Sequence, residues 1–406
     1  MTTAPASRTG TRLGVLTRRA GDTGLLAALP APIGALAWVR NGSGLVGWGE
    51  AARFEISGPD RFALADRWWA EFTASLDVVD EVGVPGSGPV AFVSLAFGDE
   101  DRSVLIVPEV IVGRRGNHSW VTTIGTDPEL PVTAVRRPTG VRYLDGRLPV
   151  PAYREAVRTA VDRMRAGEAA KVVLAHDLLA VADEDIDQRH LLSVLARRYP
   201  DCWAYAVDGL IGATPELLLR RTGQVVDSRV LAGTTWPRDG LSDAELASAL
   251  LTSEKDLDEH RYAVRSLADA LRPYCSSLSV DGPAVLHLPN VSHLSSDVVG
   301  TLRDSPSLLG LGAAVHPTAA VGGTPRAAAL AMIADLERMD RGRYAGPVGW
   351  IDGSGDGELG IALRCADVEG RTARLFAGCG LVASSDPDTE VREAHAKMRP
   401  LREALS

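Results

Sequence analysis

Two segments of this 406-residue chain each set carboxylates three residues apart: KDLDEH, with Asp256 and Glu259, and DTEVREAHAK, with Glu390 and Glu393 followed by Lys397. On a helix, offsets of three and seven residues bring such groups onto one face. Two helices that each present a carboxylate pair are the raw material of a magnesium site, because this hard cation takes a few protein oxygens and leaves positions for water and substrate. The same spacing also describes two acidic faces turned to water, with Glu393 and Lys397 as an i,i+4 pair worth about 0.2–0.5 kcal/mol. Two further groups stand in apolar settings that turn them inward. Lys171 begins the run KVVLA, and Glu216 lies between a Thr-Pro turn and the leucines of ELLL. Taken singly, a lysine at a strand start and a glutamate beside a turn are surface residues more often than not.

Other motifs fail on their spacing. AVGGTPRAAAL lacks the lysine of GxxxxGK[ST] and the strand-GxGxxG-helix context of a nucleotide cradle. DGSGDGELGIAL begins like a calcium loop with Asp352, Ser354 and Asp356, but its twelfth position is Leu363 where a glutamate is needed, which leaves a hairpin turn. No GxSxG elbow and no HExxH pair occurs, so the hydrolase and zinc readings lose ground.

Holding the surviving groups requires a large scaffold, and the chain is long enough for two or three average domains or one large mixed sheet. Apolar residues make up 45% and charged ones 23%, with no apolar window long enough to span a bilayer, so no membrane is expected as a partner. The start, MTTAPASRTGTRLGV, has no apolar signal core, which makes a cytoplasmic location the expectation. Cys202, Cys275, Cys365 and Cys379 form no CxxC and are expected as reduced thiols. A net charge of −9 with scattered basic residues excludes a nucleic-acid footprint. An anionic small molecule could still bind a local cluster of Arg, Lys and backbone N–H groups.

Residues 1–148 mix the strand-like stretches LAWVRN, PVAFVSLAF, SVLIVPEVIVG and SWVTTIG with one strong helix, DRFALADRWWAEFTASL, and carry no catalytic motif. TAVRRPTGVRYLDGRLPVP reads as a boundary loop. Residues 149–406 hold the helices PAYREAVRTAVDRMRAG, closed by Gly167, DIDQRHLLSVLARRY and SEKDLDEHRYAVRSLADALRPY. Their strands are AKVVLAHDLLAV, CWAYAVDG, ELLLRRTGQVVDSRVLAG, GPVGWIDG, GELGIALRCADVEG and TARLFAGCGLV. The last helix opens at SDPD, with Ser385 or Asp386 as N-cap, Pro387 in the first turn and Ser385-x-x-Asp388 as a capping-box pattern. Short hairpins with helices collected between them indicate an α+β fold with a largely antiparallel sheet, built as one integrated unit.

In order and spacing, KVVLAH, GATPELLL, LAGTT, KDLDEH, HPTAAVGGTPR, RGRYAGPVGW, ALRCA, AGCGLVASSDPDTE and the closing E-x-x-x-K resemble the signature segments of chorismate-utilising enzymes, most of all isochorismate synthases. RNGSGLVGWGEAARF and PEVIVGRRGNHSW extend the resemblance, more loosely, to the N-terminal part. It implies large antiparallel sheets in a sandwich-like core with helices packed outside. It also implies that Glu259 and Glu393 bind Mg²⁺, with Asp256 and Glu390 supporting the metal waters. Arg364, Lys397, Tyr344 and the backbone at Gly233, Thr234 and Gly378 would hold the substrate's carboxylates and ring, and His293 would line the ring pocket.

The implied reaction adds water at ring C2 of chorismate while the C4 hydroxyl leaves, with Lys171 as base and Glu216 as acid. Hydroxide is a poor leaving group, so Glu216 must be protonated near neutral pH, which calls for desolvation or a neighbouring acid. Lys171 must be neutral in a useful fraction of molecules, which calls for burial or nearby positive charge. Relatives that add ammonia generally lack a lysine at the Lys171 position, and aminodeoxychorismate enzymes carry a nucleophilic lysine where this chain has Ala232. Salicylate synthases add water and then eliminate pyruvate, and they typically have Thr at the position of Ala320. Isochorismate is therefore the expected product, with salicylate formation and a catalytically silent chorismate binder as alternatives. A monomer without a glutaminase subunit is expected.

Overall fold

Strands buried at every position build the centre of the molecule: Val90–Ser94, Trp203–Val207 and Leu210–Thr214 have no exposed residue. Continuous apolar runs of this length are what a strand covered on both faces requires. The computed structural model describes residues 12–21, 24–125, 131–235, 240–288 and 291–406. The opening MTTAPASRTGT, in which no leader is expected, lies outside them.

Among the described residues two sheets carry the fold, one of 13 strands and one of nine. The pairings are antiparallel except that Leu13–Arg19 runs parallel to Leu76–Asp80. Strands from both sides of residue 148 share each sheet. Leu36–Arg40 pairs with Trp203–Val207 in the larger one, and Val90–Ser94 pairs with Pro347–Asp352 in the smaller. Between the sheets, Trp38 stacks on Trp203 with ring centroids 6.1 Å apart and donates its indole N–H to Glu358 of the smaller sheet at 2.8 Å. Helices pack against this α+β sandwich. Val150–Arg165 and Pro387–Ala404 pack together beside the strands Lys171–Val181 and Thr372–Leu381, and Glu254–Leu271 lies against Val225–Thr235.

Several runs that look like single strands divide. SVLIVPEVIVG breaks at Pro108 into Ser103–Val107 of the smaller sheet and Val110–Arg115 of the larger. GELGIALRCADVEG likewise becomes Gly357–Ile361 and Cys365–Glu369, in different sheets. Both sheets bury apolar residues, so a strand that changes sheet keeps its hydrophobic pattern and the crossing is invisible in composition. Arg364 sits at the second crossing with φ of 51°, a left-handed conformation uncommon outside glycine. The boundary segment also holds a strand, Arg142–Asp145, paired with the end of Lys171–Val181.

Helix Pro387–Ala404 is capped by Asp386, whose Oδ1 accepts the Thr389 N–H at 2.9 Å, while the Ser385 hydroxyl accepts from Val382 N. The Ser385-x-x-Asp388 box does not form. Aspartate wins because its anion also suits the positive end of the helix. The four cysteines are buried free thiols, and no helix among the described residues is long and apolar enough to cross a membrane.

Candidate active site

Lys171 opens the strand Lys171–Val181, and Glu216 immediately precedes Leu217–Thr222. Asp256 and Glu259 occupy the first turns of Glu254–Leu271, and Glu390, Glu393 and Lys397 lie on Pro387–Ala404. All seven line one cavity together with Gly233, Thr234, His293, Ala320, Tyr344, Arg364 and Gly378. The helical faces that could have been solvated point inward, and Glu390 is only 5% exposed.

Lys171 is 1% exposed, and its ammonium lies 2.9 Å from a Glu259 oxygen. Sequence reasoning expects an amine kept neutral by burial or by a positive neighbour. The fold instead supplies a carboxylate, because a buried ammonium needs a counter-charge. Gly380 makes room for this pair: a Cβ there would lie 2.8 Å from Glu259 Oε1 and 3.2 Å from Lys171 Cε. Gly378, two residues earlier on the same strand face, clears the Tyr344 hydroxyl in the same way. The AGCG run therefore belongs to the strand Thr372–Leu381 and not to a loop. At Gly378 it is the carbonyl that serves the site, accepting from Lys397 Nζ at 2.9 Å.

Gly233 works differently. With φ of +79° it forms a bulge between Ala232 and Thr234, a conformation that glycine adopts without strain. Thr234 then donates its N–H to Asp256 Oδ1 at 3.4 Å, and Asp256 Oδ2 takes the Ser253 hydroxyl at 2.5 Å. The Thr234 amide expected to face substrate is thus engaged by Asp256, which ties the helix start to the bulge.

Arg364 Nη2 donates to His293 Nε2 at 3.2 Å. A guanidinium has no acceptor, so Nε2 carries no proton and Nδ1 donates to Thr234 Oγ1, 3.1 Å away. Burial, helped by the charges of Arg364 and Lys397, holds His293 well below the ordinary histidine range. Burial also pushes the Glu216 carboxyl up to about 8, against the opposing fields of Lys171, Lys397 and Arg364. It is therefore protonated at neutral pH. Burial alone would lower the Lys397 amine, but Glu393 at 2.7 Å outweighs it and holds the group above the usual lysine range. Tyr344 lies flat on Phe376 with centroids 5.2 Å apart, and burial keeps its phenol protonated.

Cys379, Glu390 and Glu393 bring ligand atoms within 4.8 Å of one another. Burial raises the Cys379 thiol well above its ordinary range, and it donates to the Glu390 carbonyl, so it offers no thiolate. What remains around the cavity are the carboxylates of Asp256, Glu259, Glu390 and Glu393. That hard-oxygen set fits Mg²⁺ and does not fit zinc.

Residues 140–406 match the family described as chorismate binding enzyme. This chain belongs to the chorismate-binding enzymes. It is 36% identical over 335 residues to isochorismate synthase DhbC of Bacillus subtilis strain 168, covering 79% of this chain and 81% of that one. It is 32% identical over 320 residues to isochorismate synthase EntC of Escherichia coli K12, covering 76% and 79%. A crystal structure described as a 2,3-dihydroxybenzoate-specific isochorismate synthase, DhbC, from Bacillus anthracis has a TM-score of 0.78 at 30% identity, over 94% of this chain and 98% of that one. The menaquinone-specific isochorismate synthase MenF from Escherichia coli shares the fold, with a TM-score of 0.79 at 24% identity over 97% and 95%.

Among the residues lining the cavity of this chorismate-binding enzyme that sequence reading does not single out are Phe376, Gly380 and Arg341. Gly380 had a signal, since two glycines at i and i+2 in an apolar strand mark a close approach on one face. Phe376 stacks on Tyr344 and Arg341 reaches Val173, contacts between separate parts of the chain that a local pattern does not show.

Proposed function

We propose that this protein is a Mg²⁺-dependent isochorismate synthase, acting in the cytoplasm on chorismate and isochorismate. The observation that carries the reading is a buried lysine and a protonated glutamate, Lys171 and Glu216, in one cavity with two fixed cations and four carboxylates. Arg364 and Lys397 bind substrate carboxylates, the guanidinium by its planar fork. Neutral His293 holds that guanidinium in place, and Tyr344 on Phe376 forms an aromatic wall for the ring. Glu216 protonates the departing C4 hydroxyl, and Lys171, acting as the free amine after giving up its own proton, takes a proton from the water adding at C2. Asp256, Glu259, Glu390 and Glu393 would hold Mg²⁺, which would supply a Lewis acid and template for the ring carboxylate, with Glu259 otherwise paired to Lys171. The isochorismate synthases similar to this chain support water as the nucleophile. Ala232 and Ala320, in place of the lysine and threonine of other branches, support a reaction that stops at isochorismate.

Purified protein incubated with chorismate and Mg²⁺ is expected to form isochorismate, without a glutaminase subunit and as a monomer on size exclusion. Salicylate with pyruvate would replace this reading by a synthase-lyase, and chorismate bound but unchanged would mark a silent binder. Glu393→Gln is expected to raise the Mg²⁺ concentration for half-maximal rate by about tenfold or more. An unchanged Mg²⁺ requirement removes Glu393 from the metal site.

A further inference from the structure

One edge of the strand Lys171–Val181 is covered in pieces. Gly323–Thr324 pairs with Lys171 and Val172, and Arg142–Asp145 pairs with Leu178 to Val181. Between these two short strands the Val173 N–H donates to the Gly322 carbonyl at 2.9 Å, while the Val173 carbonyl and the Ala175 N–H are buried and need partners. Two side chains provide them. Glu337 Oε1 accepts the Ala175 N–H at 2.8 Å, and Arg341 Nη2 donates to the Val173 carbonyl at 2.7 Å. Glu337 and Arg341 are 1% and 4% exposed and form a two-point ion pair, with Nη2 to Oε1 at 2.5 Å and Nε to Oε2 at 2.9 Å.

Arg341 reaches two more walls of the cavity. Its Nη1 donates to the Val321 carbonyl at 2.9 Å, next to Ala320, and its own carbonyl accepts the Tyr344 N–H at 3.0 Å. Four guanidinium hydrogen bonds go to protein acceptors, so Arg341 acts through the backbone although it borders the cavity. As a source of stability a buried ion pair is a poor choice, since apolar side chains of similar volume often do as well. As a spacer it is well suited, because a planar fork fixes direction as well as distance.

We propose that Glu337 and Arg341 are positioning residues for the reaction, a side-chain bridge that completes the strand edge and fixes Lys171 relative to the Ala320 turn and the Tyr344 loop. The inference rests on the proposed role of Lys171. Its test follows chorismate consumption whatever the product, so a product other than isochorismate overturns the function reading and leaves this one standing.

Arg341→Lys keeps the charge and loses the fork; Glu337→Asp keeps both charges and shortens the reach. Both are expected to lower kcat about 10- to 100-fold with KM changed less than about threefold, the signature of misplaced groups in a site that still binds. Amide hydrogen exchange is expected to rise at residues 172–176 and 319–322 in both variants. Should Arg341→Lys not fold, Glu337→Asp carries the test alone. A purely structural role would lower the melting temperature and leave kcat within twofold of wild type, and that result overturns the proposal. A rise in KM at constant kcat also overturns it, by placing Arg341 on the substrate, and a wild type that consumes no chorismate overturns both readings.

Discussion

Lys171→Ala is expected to slow water addition to chorismate by about 10³-fold or more while Mg²⁺-dependent chorismate binding persists. The amine is buried in the cavity and is the proposed base, whereas the groups that would hold the substrate anion, Arg364 and Lys397, stand on other elements. The substitution also releases Glu259 from its 2.9 Å ion pair. Loss of the Lys171 positive charge strengthens the field that a divalent cation meets at Glu259, so metal affinity should hold or rise as turnover disappears. Binding followed by calorimetry beside single-turnover kinetics separates the two effects. Turnover near the wild-type rate in this variant would exclude Lys171 as the base.

Glu216→Gln is expected to lower kcat by about 10²–10⁴-fold, because the amide keeps the shape and has no proton to give the leaving hydroxyl. The wild-type rate should fall as pH rises through about 8, where the buried carboxyl ionises. Stability carries the same signature with a defined sign. Between about 4.5 and 8 the folded protein keeps a proton that the unfolded chain has released, so this contribution is complete below 4.5 and is lost as pH rises through about 8. Its full size is on the order of 4–5 kcal/mol. Unfolding free energies measured across that window should decline for wild type relative to Glu216→Gln. Superimposable curves would mean that Glu216 is not held protonated by the fold.

The carboxylate faces were legible in KDLDEH and DTEVREAHAK because the helical period is local: three residues apart suffices to bring Glu390 over Glu393. The strand Lys171–Val181 and the antiparallel hairpins were legible for the same reason, since apolar runs and turn residues act over a few positions. Strand crossings were not. Arg364 lies in a run that looks continuous, yet the chain changes sheet at Ile361–Cys365 and puts its guanidinium on His293. What Gly378 and Gly380 make room for was not legible, because a missing side chain has no pattern of its own. Only the positions of Lys171, Glu259 and Tyr344 show what a Cβ would strike.

The sequence by itself determined which groups were available, on which elements, and to which family the motifs belong. Tertiary structure alone decided their pairing and charge: Lys171 with Glu259, Lys397 with the Gly378 carbonyl, Thr234 with Asp256, and Glu216 held as the neutral acid. The physical reason is range. Helix and strand periods are set by neighbours in the chain, whereas desolvation and ion pairing depend on which distant strands and helices close over the same cavity.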